Sequence, residues 1–98
     1  MDYGNKIMDA PAFHDMDGLI WYDGALVDWR AAKLHVLTHA LHYASSVFEG
    51  ERVYGGTIFK LREHTERLFN SAGILGFEIP YSVEDIDAAC IEACEANG

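Results

Sequence analysis

The sequence predicts an α+β fold, a small antiparallel sheet built from two hairpins and packed with two main helices. Three observations carry that expectation. Leu19-Ile20-Trp21-Tyr22 and Ala25-Leu26-Val27 flank Asp23-Gly24, a dipeptide that tolerates the positive φ required at both central positions of a tight hairpin turn. Val47 to Tyr54 and Thr57 to Lys60 flank Gly55-Gly56, which meets the same requirement. Beyond Lys60 the apolar residues recur every three to four positions, the helical period.

Met1 to Asp17 holds three methionines, scattered aspartates and one proline without sustained periodicity. Residues 1–17 are therefore expected to form an N-terminal arm, flexible or laid on a partner, ahead of a small domain over 18–98. After the first hairpin, Arg30 to Leu37 reads as an irregular connection, and Thr38 is placed to cap a short helix through His39-Ala40-Leu41-His42. The second hairpin leads into a helix whose stripe is Leu61, His64, Thr65, Leu68, Ala72 and Leu75, with Gly76 positioned to close it. Ser82-Val83-Glu84-Asp85 has the form of a capping box, with Asp in place of the preferred Glu. Val83, Ile86, Ala89, Cys90, Ala93 and Cys94 give the last helix its buried stripe before Asn97-Gly98. The expected sheet has edges that nothing in the chain covers.

Composition narrows what such a domain can do. Half of the 98 residues are apolar and 12% aromatic, which excludes a disordered chain. Sixteen acids against seven Lys and Arg leave a net charge of −9, the wrong sign for a nucleic-acid surface, where clustered cations must meet the phosphates. No apolar run approaches the roughly 20 residues that span a bilayer, and no signal peptide is visible, so no membrane partner is expected and the location points to the cytoplasm. Cys90 and Cys94 lie four apart in a helical pattern and read as small packing residues rather than a disulfide or metal pair.

Chemistry is concentrated in Val47-Phe48-Glu49-Gly50-Glu51-Arg52-Val53-Tyr54. Strand alternation places Phe48, Gly50, Arg52 and Tyr54 on one face and Val47, Glu49, Glu51 and Val53 on the other. A glycine within a strand marks a close approach of ligand or backbone, and an arginine beyond that gap suits an anion or a planar ligand; an edge strand with an exposed arginine fits as well. Arg67 lies one turn after Glu63, which predicts an exposed Glu-to-Arg pair on the helix surface. It also flanks the apolar stripe, where a guanidinium fork could reach a phosphate. His35, His39 and His42 match no established zinc spacing, and no metal is expected.

Taken in order, His39-Ala40-Leu41-His42-Tyr43, Val47-Phe48-Glu49-Gly50, Arg52 and Tyr54 resemble the signature of the branched-chain amino acid aminotransferases. Ile58-Phe59-Lys60-Leu61-Arg62-Glu63-His64-Thr65-Glu66-Arg67-Leu68 resembles the helix entry of the wider class IV, fold-type IV, pyridoxal-phosphate enzymes. The similarity spans about residues 19–98. It implies that the α+β unit is the small N-terminal domain of that fold, incomplete here.

The resemblance implies pyridoxal 5′-phosphate as cofactor, with Arg67 binding its phosphate. It makes Phe48 an aromatic wall of an apolar substrate pocket, Gly50 the small residue that leaves room beside it, and Arg52 a support of that pocket face. Tyr43 resembles a tyrosine that reaches into the neighbouring subunit's site, so a homodimer or higher homo-oligomer is implied. The implied reaction is reversible amino transfer between Leu, Ile or Val and 2-oxoglutarate, with a lysine holding the cofactor as a Schiff base and moving the proton. The chain's lysines, Lys6, Lys33 and Lys60, do not correspond to that residue, which the family carries in a C-terminal large domain. No catalytic residue is therefore expected here. The chain reads as a fragment or truncated product, inactive alone. Two positions depart from the family pattern: Ala44 stands where glycine is usual, and Glu51 where isoleucine is usual. A non-catalytic binding or assembly module that retains the small-domain fold is the alternative.

Overall fold

The structure, a computed structural model, describes residues 12–98. Strands β1 (Leu19–Tyr22) and β2 (Ala25–Asp28) pair antiparallel, Leu19 opposite Asp28 and Tyr22 opposite Ala25. Asp23 and Gly24 take φ of 46° and 104°, the positive values for which the Asp-Gly turn is suited. Asp28 then accepts a hydrogen bond from the Arg30 backbone N–H at 2.9 Å and caps a 3-10 turn over Trp29–Ala31.

Helix α1 (His39–Tyr43) is one residue longer than expected, and Thr38 does not cap it through its side chain. The Thr38 hydroxyl donates instead to the His35 carbonyl at 2.6 Å, a local bond that competes with capping. Ala44 ends the helix in the left-handed region, φ 55° and ψ 29°.

The second hairpin is shorter than expected. β3 (Val53–Tyr54) pairs with β4 (Thr57–Ile58), Val53 opposite Ile58. Residues 47–52 carry no strand pairing beyond the Phe59 N–H donating to the Arg52 carbonyl at 2.8 Å. The reason lies across the hairpin. Lys60 takes φ 53° and turns the chain directly into helix α2 (Leu61–Leu75), so the residues that would continue the opposing strand become helix. Residues 47–50 nevertheless keep an alternation of period two, with Val47 and Glu49 half-buried and Phe48 and Gly50 exposed, while Glu51 and Arg52 are both exposed. The two hairpins form separate two-stranded sheets rather than the single sheet expected.

Helix α3 (Val83–Asn97) lies at the centre of the packing. Ser82 and Asp85 exchange hydrogen bonds of 3.0 Å in a reciprocal capping box. The first hairpin packs through Leu19, Ile20 and Trp21 on the Ile86, Ala89, Cys90 and Ala93 side of α3, while the second opens toward Ile91, Cys94 and Glu95. Helix α2 packs on α3 with Ala72 and Thr65 each only 2% exposed and Ala89 6% exposed, small side chains that let the backbones approach. Leu75 and Cys94, assigned to buried stripes, are exposed, because this narrow contact uses only part of each apolar face. Arg62 braces the pair, its Nε donating to Asp87 at 2.7 Å and its Nη1 to Glu84 at 3.3 Å.

Asn97 fastens the end of α3 to the start of β1. Its Oδ1 accepts from the Leu19 N–H and its Nδ2 donates to the Leu19 carbonyl, both at 2.9 Å. Gly18 makes this approach possible: at φ 141°, a Cβ there would stand 2.8 Å from Asn97 Oδ1. Of the expected arm, residues 1–11 lie outside the described part. Residues 12–17 are tied down, Asp15 and Asp17 pairing with Arg30 at 2.8 and 2.9 Å and the Phe13 carbonyl accepting from the Trp29 indole N–H. Among the described residues, no helix is long and apolar enough to cross a membrane.

Candidate functional site

The most organised polar cluster joins the extended segment to α2. His64 and Arg67 are three apart in the helix and so share a face. Glu49 lies on the inward side of the alternating segment and meets both. Its carboxylate accepts from Arg67 Nε at 2.8 Å, Arg67 Nη2 at 2.6 Å and His64 Nδ1 at 2.7 Å. Only 9% of the Glu49 side chain is exposed. The Arg67 guanidinium, then the His64 ring, hold its pKa down from 4.5 to about 2 by hydrogen bonding to the charged form. An ionised carboxylate only accepts, so Nδ1 of His64 must carry a proton.

The helical spacing predicts that Arg67 pairs with Glu63, one turn before it. The structure instead gives Glu63 to Lys60, at 3.6 Å, and Arg67 to Glu49. The near-buried carboxylate offers two parallel bonds, whereas a helix-surface pair offers one flexible contact. Lys60, Glu63, His64 and Arg67 together line a shallow cavity of about 210 Å³. Nη1 of Arg67 has no partner among the described residues, so one edge of the guanidinium is held and another is open.

The other expected site residues are open to solvent. Phe48 is 87% exposed, and a Cβ added at Gly50 would meet nothing within 4 Å. Both are exposed positions that alternate with the half-buried Val47 and Glu49 and form the outward face of the segment. Arg52 is exposed, with its carbonyl engaged by Phe59. Tyr43 is also exposed and stacks on the His39 ring, centroids 4.5 Å apart. The structure thus gathers Arg67 with Glu49 and His64 but leaves Phe48, Gly50, Arg52 and Tyr43 open to solvent.

Sequence reasoning misses Glu49 and Lys60 as members of this site. The signal available for Glu49 is its inward place in the alternation, combined with a His and an Arg on one face of the next helix. Glu51, an exposed residue, reaches α3 with Oε2 4.0 Å from Cys90 Sγ. Burial raises the Glu51 pKa, and burial followed by the Glu51 charge pushes the Cys90 thiol up to about 11, which suits packing and not nucleophilic attack. The histidines considered for metal are engaged separately: His35 Nδ1 accepts from the Leu37 N–H at 3.0 Å, and His42 Nε2 lies 2.6 Å from the Val36 carbonyl. Among the described residues no three His, Cys, Asp or Glu side chains gather to hold a metal ion.

Known proteins bear directly on this cluster. The model of the family described as Amino-transferase class IV matches residues 46–98, which include Glu49, His64 and Arg67. The branched-chain-amino-acid aminotransferase of Pseudomonas aeruginosa is 54% identical over 87 residues, covering 85% of this chain and 28% of that protein. A crystal structure of the branched-chain aminotransferase from Thermoproteus uzoniensis, with norvaline, superposes with a TM-score of 0.80 at 42% identity, covering 85% of this chain and 29% of that one. A further branched-chain amino acid aminotransferase, complexed with N-(5′-phosphopyridoxyl)-L-glutamate, gives a TM-score of 0.77 at 47% identity, covering 81% of this chain and 28% of that one. The chain spans less than a third of the length of each of these relatives. With more than half of its residues in the family match, and with the fold of these aminotransferases, the chain belongs to the class IV aminotransferases.

Proposed function

We propose that the chain contributes the small domain of a branched-chain amino acid aminotransferase that uses pyridoxal 5′-phosphate to exchange the amino group of Leu, Ile or Val with 2-oxoglutarate. The observation that carries this reading is Arg67, gripped on one edge by Glu49 and open on another beside a cavity that Lys60 and His64 also line. A phosphate fits such a site, because a guanidinium fork meets its oxygens with charge-assisted bonds. When bound, pyridoxal 5′-phosphate supplies the electron sink that amino transfer requires. Arg67 would hold its phosphate end. The phosphopyridoxyl ligand of one solved relative and the norvaline of the Thermoproteus relative support the same cofactor and an aliphatic substrate.

In this reading the outward face receives the amino acid. Phe48 supplies an aromatic wall, Gly50 leaves room beside it, and Arg52 supports that face. Their exposure is that of a surface awaiting a covering segment. Tyr43 projects toward a neighbouring subunit, which makes the assembly a homodimer. The proton-moving lysine is none of Lys6, Lys33 or Lys60; Lys60 is occupied by Glu63 and the Phe59 ring. It belongs to a large domain outside these residues. The same reading places the enzyme in the cytoplasm, a compartment in which Cys90 and Cys94 stay as the free thiols they are here.

A chimera tests this directly. The matched stretch of this chain replaces its counterpart in the Pseudomonas aeruginosa relative. The chimera should retain pyridoxal 5′-phosphate and transaminate leucine, and Arg67→Ala within it should weaken cofactor retention by roughly a hundredfold. A folded chimera that holds the cofactor equally well with and without Arg67 removes the phosphate role. A folded chimera with no leucine activity favours the non-catalytic assembly module.

A further inference from the structure

We propose that Glu49 is a positioning residue for Arg67, fixing the guanidinium plane so that its free Nη1 edge is presented to a phosphate group. The inference rests on the reading of Arg67 as the phosphate-binding arginine. An arginine side chain that is 65% exposed samples many rotamers unless something holds it. Two parallel bonds to Glu49, from Nε and Nη2, set both the position and the plane of the fork. Glu49 is itself anchored, since its side chain is 9% exposed and His64 Nδ1 donates a third bond at 2.7 Å. Order therefore runs from the extended segment, through Glu49, to the guanidinium.

Electrostatics alone would disfavour this arrangement. A carboxylate beside an anion site repels the ligand, so attraction cannot explain a near-buried glutamate at that place. Preorganisation can, because a ligand that meets an already oriented fork does not have to order it. The two accounts predict opposite effects of removing the charge.

The chimera described above is titrated with inorganic phosphate and then with pyridoxal 5′-phosphate, following the Arg67 Nε–H signal and the backbone amides by NMR. Arg67→Ala should abolish the phosphate response. Glu49→Gln and Glu49→Asp should each weaken phosphate binding by about tenfold and lose the protected Nε–H signal. Glu49→Asp keeps the charge but shortens the arm, so it separates positioning from charge and decides the matter should Glu49→Gln not fold. Phosphate binding that tightens in Glu49→Gln and is unchanged in Glu49→Asp overturns the proposal while leaving Arg67 in its role. A wild-type chimera without a phosphate response, or one unaffected by Arg67→Ala, overturns both.

Discussion

Ala44 closes α1 at φ 55°, a backbone conformation in which a Cβ crowds the following carbonyl. Glycine, usual at this place in the family pattern, has no such penalty, though it loses more freedom on folding. Ala44→Gly should therefore stabilise the chain by about 0.5–1 kcal/mol, read as a raised urea midpoint with unchanged slope. At Glu49 the pKa falls from 4.5 to about 2 on folding, so its contribution is complete above pH 4.5 and lost as the pH falls toward 2. Glu49→Gln should flatten acid unfolding across that window, and an acid titration followed by circular dichroism measures it. Glu51 has the opposite sign. Its pKa is raised by burial, so the ionised form opposes folding at neutral pH. Glu51→Ile should accordingly stabilise at pH 7 and lose that advantage as the pH falls into the carboxylate range. Cys90, half-buried with its thiol at about 11, should alkylate well after the exposed Cys94, which mass spectrometry of a timed iodoacetamide reaction resolves.

Between elements, the contact of α2 with α3 is narrow, and Thr65 of α2 is 2% exposed with no partner for its hydroxyl among the described residues. Thr65→Val keeps the shape and removes that hydroxyl, so it should stabilise by about 1 kcal/mol in denaturant unfolding. The elements legible in the sequence were those with local causes. Asp23-Gly24 and Gly55-Gly56 specified their turns, Ser82 and Asp85 their capping box, and Gly76 its left-handed closure. The strand expected over 47–52 failed because its partner was lost to α2, and a strand requires a neighbour that no local pattern reveals. Arg67 was legible as a phosphate candidate from resemblance, but its partner Glu49 was not. The two are joined across 18 residues, while Glu63 offered a nearer and more familiar pairing.

Across the whole molecule, many large apolar side chains of the described residues remain open to solvent. Leu34, Val36, Leu37, Leu41, Tyr43 and Phe48 are each at least 60% exposed along one stretch of chain. Patches of that kind mark surfaces that another chain or domain covers. The isolated chain should therefore associate with itself as its concentration rises, and more so when salt screens its net charge of −9. Sedimentation velocity over a concentration series checks this. A monodisperse monomer at every concentration and salt level would contradict it.

The Asn97 clasp on Leu19 joins residues 78 apart. Synthesis proceeds from the N-terminus, so β1 and β2 emerge well before α3, and a lone two-stranded ribbon is barely stable in water. Until the last turn of α3 has been made, the hairpin lacks both its packing surface and its fastening. The first hairpin to be translated is thus secured only once α3 has been made, and until then it stays open to proteases or chaperones.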